Sequence, residues 1–378
     1  MFLTPRLATP GTTPLPPAVL AAAARPMIHH RSPEFGAILA RVHTGLQTVF
    51  ATEQPVMLLT SSGSGAGEAV AANLFAVGDS VIYASHGKFS RRWGEMLQRQ
   101  GVNALPLNVP EGRAPQTADV IAALERHPEA CAVWLTQSET STSVWTDVRA
   151  IAAAVRALKA DTLVVVDAVS SLLAHELEMD AWDLDLVFGA SQKGLMSPPG
   201  LAPIALSERA WRKAEHVPCR SVYFDLHKAR QSWRGNKTVY TPAVSAVAGL
   251  DAALDLILKA GVDASIARHA VHSRAMRSAA AALRLRPFGS PPSHAVTAIE
   301  FPPQAALFKQ VLKETALVTT AGGQDDLVDK IFRVGHLGWQ DQGDMLAVIA
   351  GIEVALLRSG HEIEPGAGLS AAQRAYCA

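Results

Sequence analysis

The stretch DVRAIAAAVRALKADTLVVVDAV, residues 147–169, decides the fold. Its first part, DVRAIAAAVRALKA, reads as a helix. Its second, TLVVVDAV (162–169), is a strongly apolar strand whose valine run fits burial on both faces. The same alternation continues outward. Upstream, ACAVWLTQ (130–137), VNALPL and DSVIYAS (79–85) read as strands, separated by the helices TADVIAALERH and SRRWGEMLQRQG (90–101). Before them, VMLLT (56–60) runs into SSGSGAGEAVAANLF, a Gly/Ser turn opening a helix. Phe35, Ile38, Leu39, Val42, Leu46 and Val49 mark an amphipathic helix from Pro33 to Thr52. Downstream, DLVFGAS (185–191) is another strand. Strands alternating with helices imply right-handed crossovers and a mainly parallel sheet, so the class is α/β.

From about residue 243 the texture changes. The long helices AVSAVAGLDAALDLILKAG and ASIARHAVHSRAMRSAAAALR lead to AVTAIEF, ALVTTAG and KIFRVGHL. These read as strands of a smaller α+β unit, closed by the helix GDMLAVIAGIEVALLRSG. Prolines at 5, 10, 14, 16, 17 and 26 make the start an extended arm with at most a short helix. The expected organisation is an N-terminal arm over 1–20, a large domain over 21–260 and a small C-terminal domain over 261–378, with the boundary near Gly261.

Composition excludes several classes. The 378 residues are 49% hydrophobic and 18% charged, which is not the make-up of a disordered chain. Lys plus Arg and Asp plus Glu both number 34, so there is no basic footprint for nucleic acid over the whole chain. The start, MFLTPRLATPGTTPLPP, lacks the apolar core of a secretory signal, and no apolar run approaches the ~20 residues of a membrane span. Three cysteines, Cys131, Cys219 and Cys377, are too few and too far apart for a disulfide framework or zinc knuckle. A soluble, cytoplasmic protein in a reducing compartment is expected, with no nucleic-acid or membrane partner.

In a sheet of this kind ligands bind beyond the carboxyl ends of the strands. Ser62, Gly63 and Ser64 follow the strand at 56–60 and open a helix, where free N–H groups and the helix dipole favour an anion such as phosphate. The turn lacks the GK[ST] of a P-loop and the spacing of a dinucleotide fingerprint. Asp167 ends the most apolar strand, where a carboxylate needs a cationic or hydrogen-bonding partner. Lys193 follows the next strand in GASQKGLMSPPG, one βαβ step away and facing the same crevice. An acid, a lysine and an anion site on one edge suggest pyridoxal phosphate, with a Schiff base on the lysine and the acid beside the pyridine nitrogen. A plain Lys–Asp ion pair stays open on spacing alone.

The motifs extend further. TPGTTPLPPAVL, HHRSPEF with VHTGLQTVFAT, SGSGAGEA, HGKFSRRW, SETSTSV, VVVDAVSSL, GASQKGLMSPPG, YTPAV and FRVGHLG occur in the order found in the class V aminotransferases. The chain resembles that family, specifically its alanine/serine–glyoxylate branch, over nearly its whole length. The resemblance implies the type I fold of pyridoxal-phosphate enzymes: a seven-stranded sheet between helices plus the smaller domain. It implies Lys193 as the Schiff-base lysine and proton carrier, and Asp167 as partner of the pyridinium nitrogen. Phe89 and Val169 would flank the ring. Ser62, Gly63, Ser64 and Gln192 would hold the phosphate, and Thr140 would lie near the O3′ edge. Thr241 matches the residue that reaches the partner subunit's phosphate in a homodimer with shared active sites. Thr238 stands where some relatives carry a Tyr with the same task. Arg333 matches the arginine that holds the substrate carboxylate, for which a guanidinium fork suits better than lysine, and Gly11 the arm glycine near the substrate. Ser143 stands where the family usually has Gly.

The activity implied is transfer of an amino group from alanine or serine to glyoxylate or a similar 2-oxo acid. The alternative is another class V enzyme, such as a transaminase using aspartate or a lyase acting on a small amino acid. A desulfurase would need a mobile loop cysteine in the C-terminal half, and a cofactor-binding regulator would need a DNA-binding module that the short arm does not provide. No metal site is expected: His29, His30 and Arg31 read as a polar run near a dimer interface. Arg91 and Arg92 read as exposed helix residues, Cys131 as core and Cys377 as frayed.

Overall fold

The computed structural model describes residues 5–378; the first four residues of the expected arm lie outside the described residues. Seven strands form the large sheet: β1 (Val56–Leu59), β2 (Ser80–Ser85), β3 (Asn103–Asn108), β4 (Ala130–Thr136), β5 (Leu163–Asp167), β6 (Leu186–Phe188) and β7 (Ala202–Leu206). Their order is β1-β7-β6-β5-β4-β2-β3. The pairs from β6 to β3 are parallel, and β7 runs antiparallel to both neighbours. The valine strand is buried on both faces as its composition requires. Val164 and Val166 enter the core beneath helix Pro33–Phe50, and Val165 enters the opposite one with Trp93 and Phe188.

Strand β7 is absent from the sequence expectation, and it carries a proline, Pro203, within it. Pro203 has no N–H, yet its carbonyl is used, accepting from Gly189 N–H at 2.9 Å. Helix Pro33–Phe50 begins where the sequence places it. Ser32 caps it by accepting from the Phe35 N–H at 3.2 Å, and Pro33 occupies the first turn.

The second sheet has four antiparallel strands, β8 (Pro287–Phe288), β9 (Val296–Glu300), β10 (Ala321–Gly322) and β11 (Ile331–Gly335), in the order β8-β9-β11-β10. ALVTTAG does not form one strand. Val318–Thr319 pairs with the N-terminal Arg6–Leu7, whereas Ala321–Gly322 pairs with β11. The arm is thus built into this second unit. Ala8 lies in its core, and its carbonyl accepts from Gly335 N–H at 2.8 Å. Helix Pro17–Ala23 runs across residue 20, so the chain has no break at the expected arm boundary. Cys377 is not frayed but ends helix Ala367–Cys377, whose Ala372 and Ala375 join the same core. Among the described residues no helix is long and apolar enough to cross a membrane.

Candidate active site

The parallel register sets Thr136 at the end of β4 beside Asp167 at the end of β5, and Asp167 beside Phe188 at the end of β6. Gln192 and Lys193 follow β6, so the crevice beyond these strand ends collects the polar groups. It holds a cavity of about 270 Å³. Among the residues that line it are Ser62, Gly63, Ser64, Phe89 and Thr140, together with Asp167, Val169, Gln192, Lys193 and Gly11.

Local packing explains several of these positions. A Cβ at Gly63 would stand 2.5 Å from Val169 Cγ2, so only glycine lets the Ser62–Ser64 turn approach the end of β5. Phe89 is presented by the start of helix Lys88–Arg99, which the buried Glu139 carboxylate anchors by accepting from Ser90 N–H at 2.8 Å. Ser143, at the family's glycine position, has φ +62° and donates to the Val296 carbonyl at 2.7 Å. The left-handed backbone explains why glycine suits that turn.

The two ionisable groups of the pair are shifted toward neutrality. Burial pushes Asp167 up to about 7, against hydrogen bonds from Val169 N–H, Trp93 and Thr136 that favour its charged form. Burial likewise brings Lys193 down to about 8, helped by the positive charge of Arg333. Lys193 and Asp167 make no ion pair; Nζ donates to the Pro10 carbonyl at 2.5 Å. This disposes of the plain ion-pair alternative.

Arg333 is buried on β11 and makes no pairing with an acid. Its Nε donates to the Gly322 carbonyl at 2.9 Å and its Nη1 to the Thr140 carbonyl at 3.0 Å; it does not line the cavity itself but is tied to Thr140, which does. Thr238 and Thr241 are not brought to this cavity; they lie with Tyr223 and Tyr240 around a separate hollow. Arg92 departs from its expected place on an exposed face. It lines the cavity, donates to Ser64 Oγ at 2.7 Å and lies 5.1 Å over the Phe89 ring. Trp93, one residue on, reaches Asp167. The signal for both was the helical spacing of Phe89, Arg92 and Trp93, which share one face.

These residues fit pyridoxal phosphate. Asp167 is a buried carboxylate with no cation bonded to it, suited to a protonated ring nitrogen. Ser62 and Gly63 open helix Gly63–Leu74 with the N–H groups a phosphate needs. Gln192 also lines the cavity, and its side-chain NH2 is a donor that suits a phosphate, whereas its amide oxygen, buried without a partner, can only accept.

Comparison with known proteins agrees with this geometry. The sequence profile described as aminotransferase class V matches residues 7–325. The chain is 38% identical over 377 residues to the soluble hydrogenase 42 kDa subunit of Anabaena cylindrica, covering 98% of each. It is 34% identical over 376 residues to L-aspartate–glyoxylate aminotransferase of Paracoccus denitrificans, covering 97% of this chain and 95% of that one. Among solved structures, pyridoxamine–pyruvate aminotransferase from Mesorhizobium loti has a TM-score of 0.94 at 27% identity, covering 99% of this chain and 98% of that one.

Proposed function

The chain belongs to the class V aminotransferases and is a pyridoxal-phosphate enzyme, and from this we propose that it moves an amino group from a small amino acid, alanine or serine, to glyoxylate or a similar 2-oxo acid. The observation that bears on the donor is the state of the cations on helix Lys88–Arg99. Lys88 and Arg91, on the helix that bears Phe89, are paired with Asp325 at 2.6 and 3.3 Å, and Arg91 also with Glu111 at 2.9 Å. Arg333, held by two backbone carbonyls and no acid, is the guanidinium we assign to the carboxylate common to every donor and acceptor; Arg92, the guanidinium that lines the cavity, is turned to Ser64 and the Phe89 ring instead. Glyoxylate as acceptor is supported by the Paracoccus relative; the name of the Anabaena relative describes that protein.

The roles follow from the chemistry of each group. Bound cofactor supplies an aldehyde for the amino group and an electron-withdrawing ring. Lys193 would hold it covalently and carry the proton to and from the substrate α-carbon, tasks for which a depressed amine pKa suits Nζ. Asp167 would accept the hydrogen bond of the protonated ring nitrogen and so hold that proton in place. Ser62, Gly63, Ser64 and Gln192 would bind the phosphate, Phe89 and Val169 would enclose the ring, and Thr140 would meet its hydroxyl edge. Arg333 would orient the substrate carboxylate, with the Gly11 backbone beside it.

We assign a homodimer with shared sites. Its support is that Thr238 and Thr241 lie away from their own cavity, near exposed apolar residues such as Val222, Tyr223, Tyr240 and Met27. Cytoplasmic residence rests on three unpaired cysteines. Residues 21–260 and 261–378 are taken as the two domains because each sheet has its own core. A donor panel of alanine, serine and aspartate against glyoxylate, pyruvate and 2-oxoglutarate tests the activity. Alanine or serine with glyoxylate should give the highest kcat/KM; a preference for aspartate would favour the alternative.

A further inference from the structure

Asp167 is surrounded by donors that the sequence did not point to. Val169 N–H meets Oδ1 at 2.9 Å. Two side chains meet Oδ2: the Trp93 indole N–H at 3.1 Å and the Thr136 hydroxyl at 3.2 Å. The same indole N–H is also 3.1 Å from Thr136 Oγ1. The single indole proton is thus shared between Oδ2 and Oγ1, and the Thr136 hydroxyl proton is directed at the carboxylate. All three neighbours therefore donate. Both Trp93 and Thr136 are buried, so neither bond competes with bulk water.

We infer that Trp93, acting with Thr136, is a positioning residue that keeps Asp167 ionised and fixed in orientation for the ring nitrogen. An indole is a donor and never an acceptor, so it favours the charged carboxylate over the acid. A carboxylate offers about four acceptor positions, of which these contacts take three, leaving one on Oδ1.

Trp93 is itself held rigidly. Its ring stacks on Trp134 with centroids 5.5 Å apart and meets the edge of Phe188 at 5.3 Å. A Cβ on Gly67 would come within 2.2 Å of the indole. The last glycine of SGSGAG thus makes room for the tryptophan of FSRRW, tying the phosphate turn to the carboxylate through one side chain.

This inference rests on the pyridoxal-phosphate reading, and the experiment separates the two. Apo-protein is titrated with pyridoxal phosphate, following absorbance, for wild type, W93F, D167N and W93F/D167N, with the melting temperature of each apo-protein as a folding control. W93F should weaken cofactor binding about tenfold, the loss expected for a hydrogen bond to a charged group. In the D167N background the same change should cost no more than about twofold, since the charge it serves is gone. Loss in the steady state should appear in kcat with KM for alanine unchanged. An equal penalty in both backgrounds, or none in either, overturns the proposal, because a tryptophan acting only through core packing ignores the charge on Asp167. T136V, which leaves the indole in place, gives the same comparison if W93F does not fold. Wild-type protein that fails to bind pyridoxal phosphate would instead refute the underlying enzyme assignment.

Discussion

The carbonyl oxygen of Pro10 accepts a hydrogen bond from Lys193 Nζ at 2.5 Å, so a residue of the N-terminal arm is the nearest polar partner of the reactive amine. The next residue has no room for a side chain: a Cβ on Gly11 would stand 2.5 Å from Nζ, at a backbone φ of +144°. Gly11→Ala should therefore displace the amine or the arm. A misplacement of this kind costs about 100-fold in turnover. Steady-state kinetics and the absorbance of the covalently held cofactor check it; full activity would show that the arm moves away during turnover.

Reduction of the holoenzyme with borohydride should fix a pyridoxyl group on Lys193 and on no other lysine, read by peptide mass. Lys193→Ala should retain cofactor through the phosphate turn and lose transamination by about three orders of magnitude or more, since covalent attachment and proton transfer are removed together.

The pH dependence of apo-protein stability has a definite sign. Asp167 rises from 3.8 to about 7 on folding, so between those values the folded state binds more protons than the unfolded chain. Stability contributed by this group is present at low pH and declines as pH rises through that window, by at most about 4 kcal/mol. Asp167→Asn should remove that slope. Urea melts at pH 4.5 and 7 compare the two proteins; parallel curves would show that Asp167 is already ionised when the apo-protein folds.

Arg333→Lys should lower kcat/KM by about 30- to 1,000-fold for every donor and acceptor, because lysine cannot present a fork to a carboxylate. Cofactor affinity should stay unchanged. Unaltered kcat/KM for alanine and glyoxylate would place the substrate carboxylate elsewhere.

The legibility of this site in the sequence varied with the kind of signal. Asp167 and Lys193 were readable because strand ends in a parallel sheet meet on one edge, and the Thr136–Asp167 and Asp167–Phe188 register realises it. Strand β7 was hidden by Pro203, whose usable carbonyl cannot be foreseen without its neighbour Gly189. Arg92 and Trp93 were hidden by context. Two arginines at a helix start look like a solvated face, and only the position of Ser64 turns the second inward. ALVTTAG was seen as one strand because its apolar pattern does not reveal that its halves have different partners, one from the opposite end of the chain.

That last pairing has a consequence for biosynthesis. A ribosome releases residues 6–13 about 300 residues before the backbone that seats them, at Thr319 and Gly335. The large sheet, with Asp167 and Lys193 already in it, can assemble on the nascent chain well before the Pro10 carbonyl is anchored against the amine. Such long-range pairing is slow to form and waits for the segment that contains Val318 and Gly335. A translation product ending after helix Val244–Ala260 would carry the acid and the lysine but lack the segments that hold the arm over them. The final setting of the Lys193 amine is thereby tied to synthesis of the segments around Thr319 and Gly335.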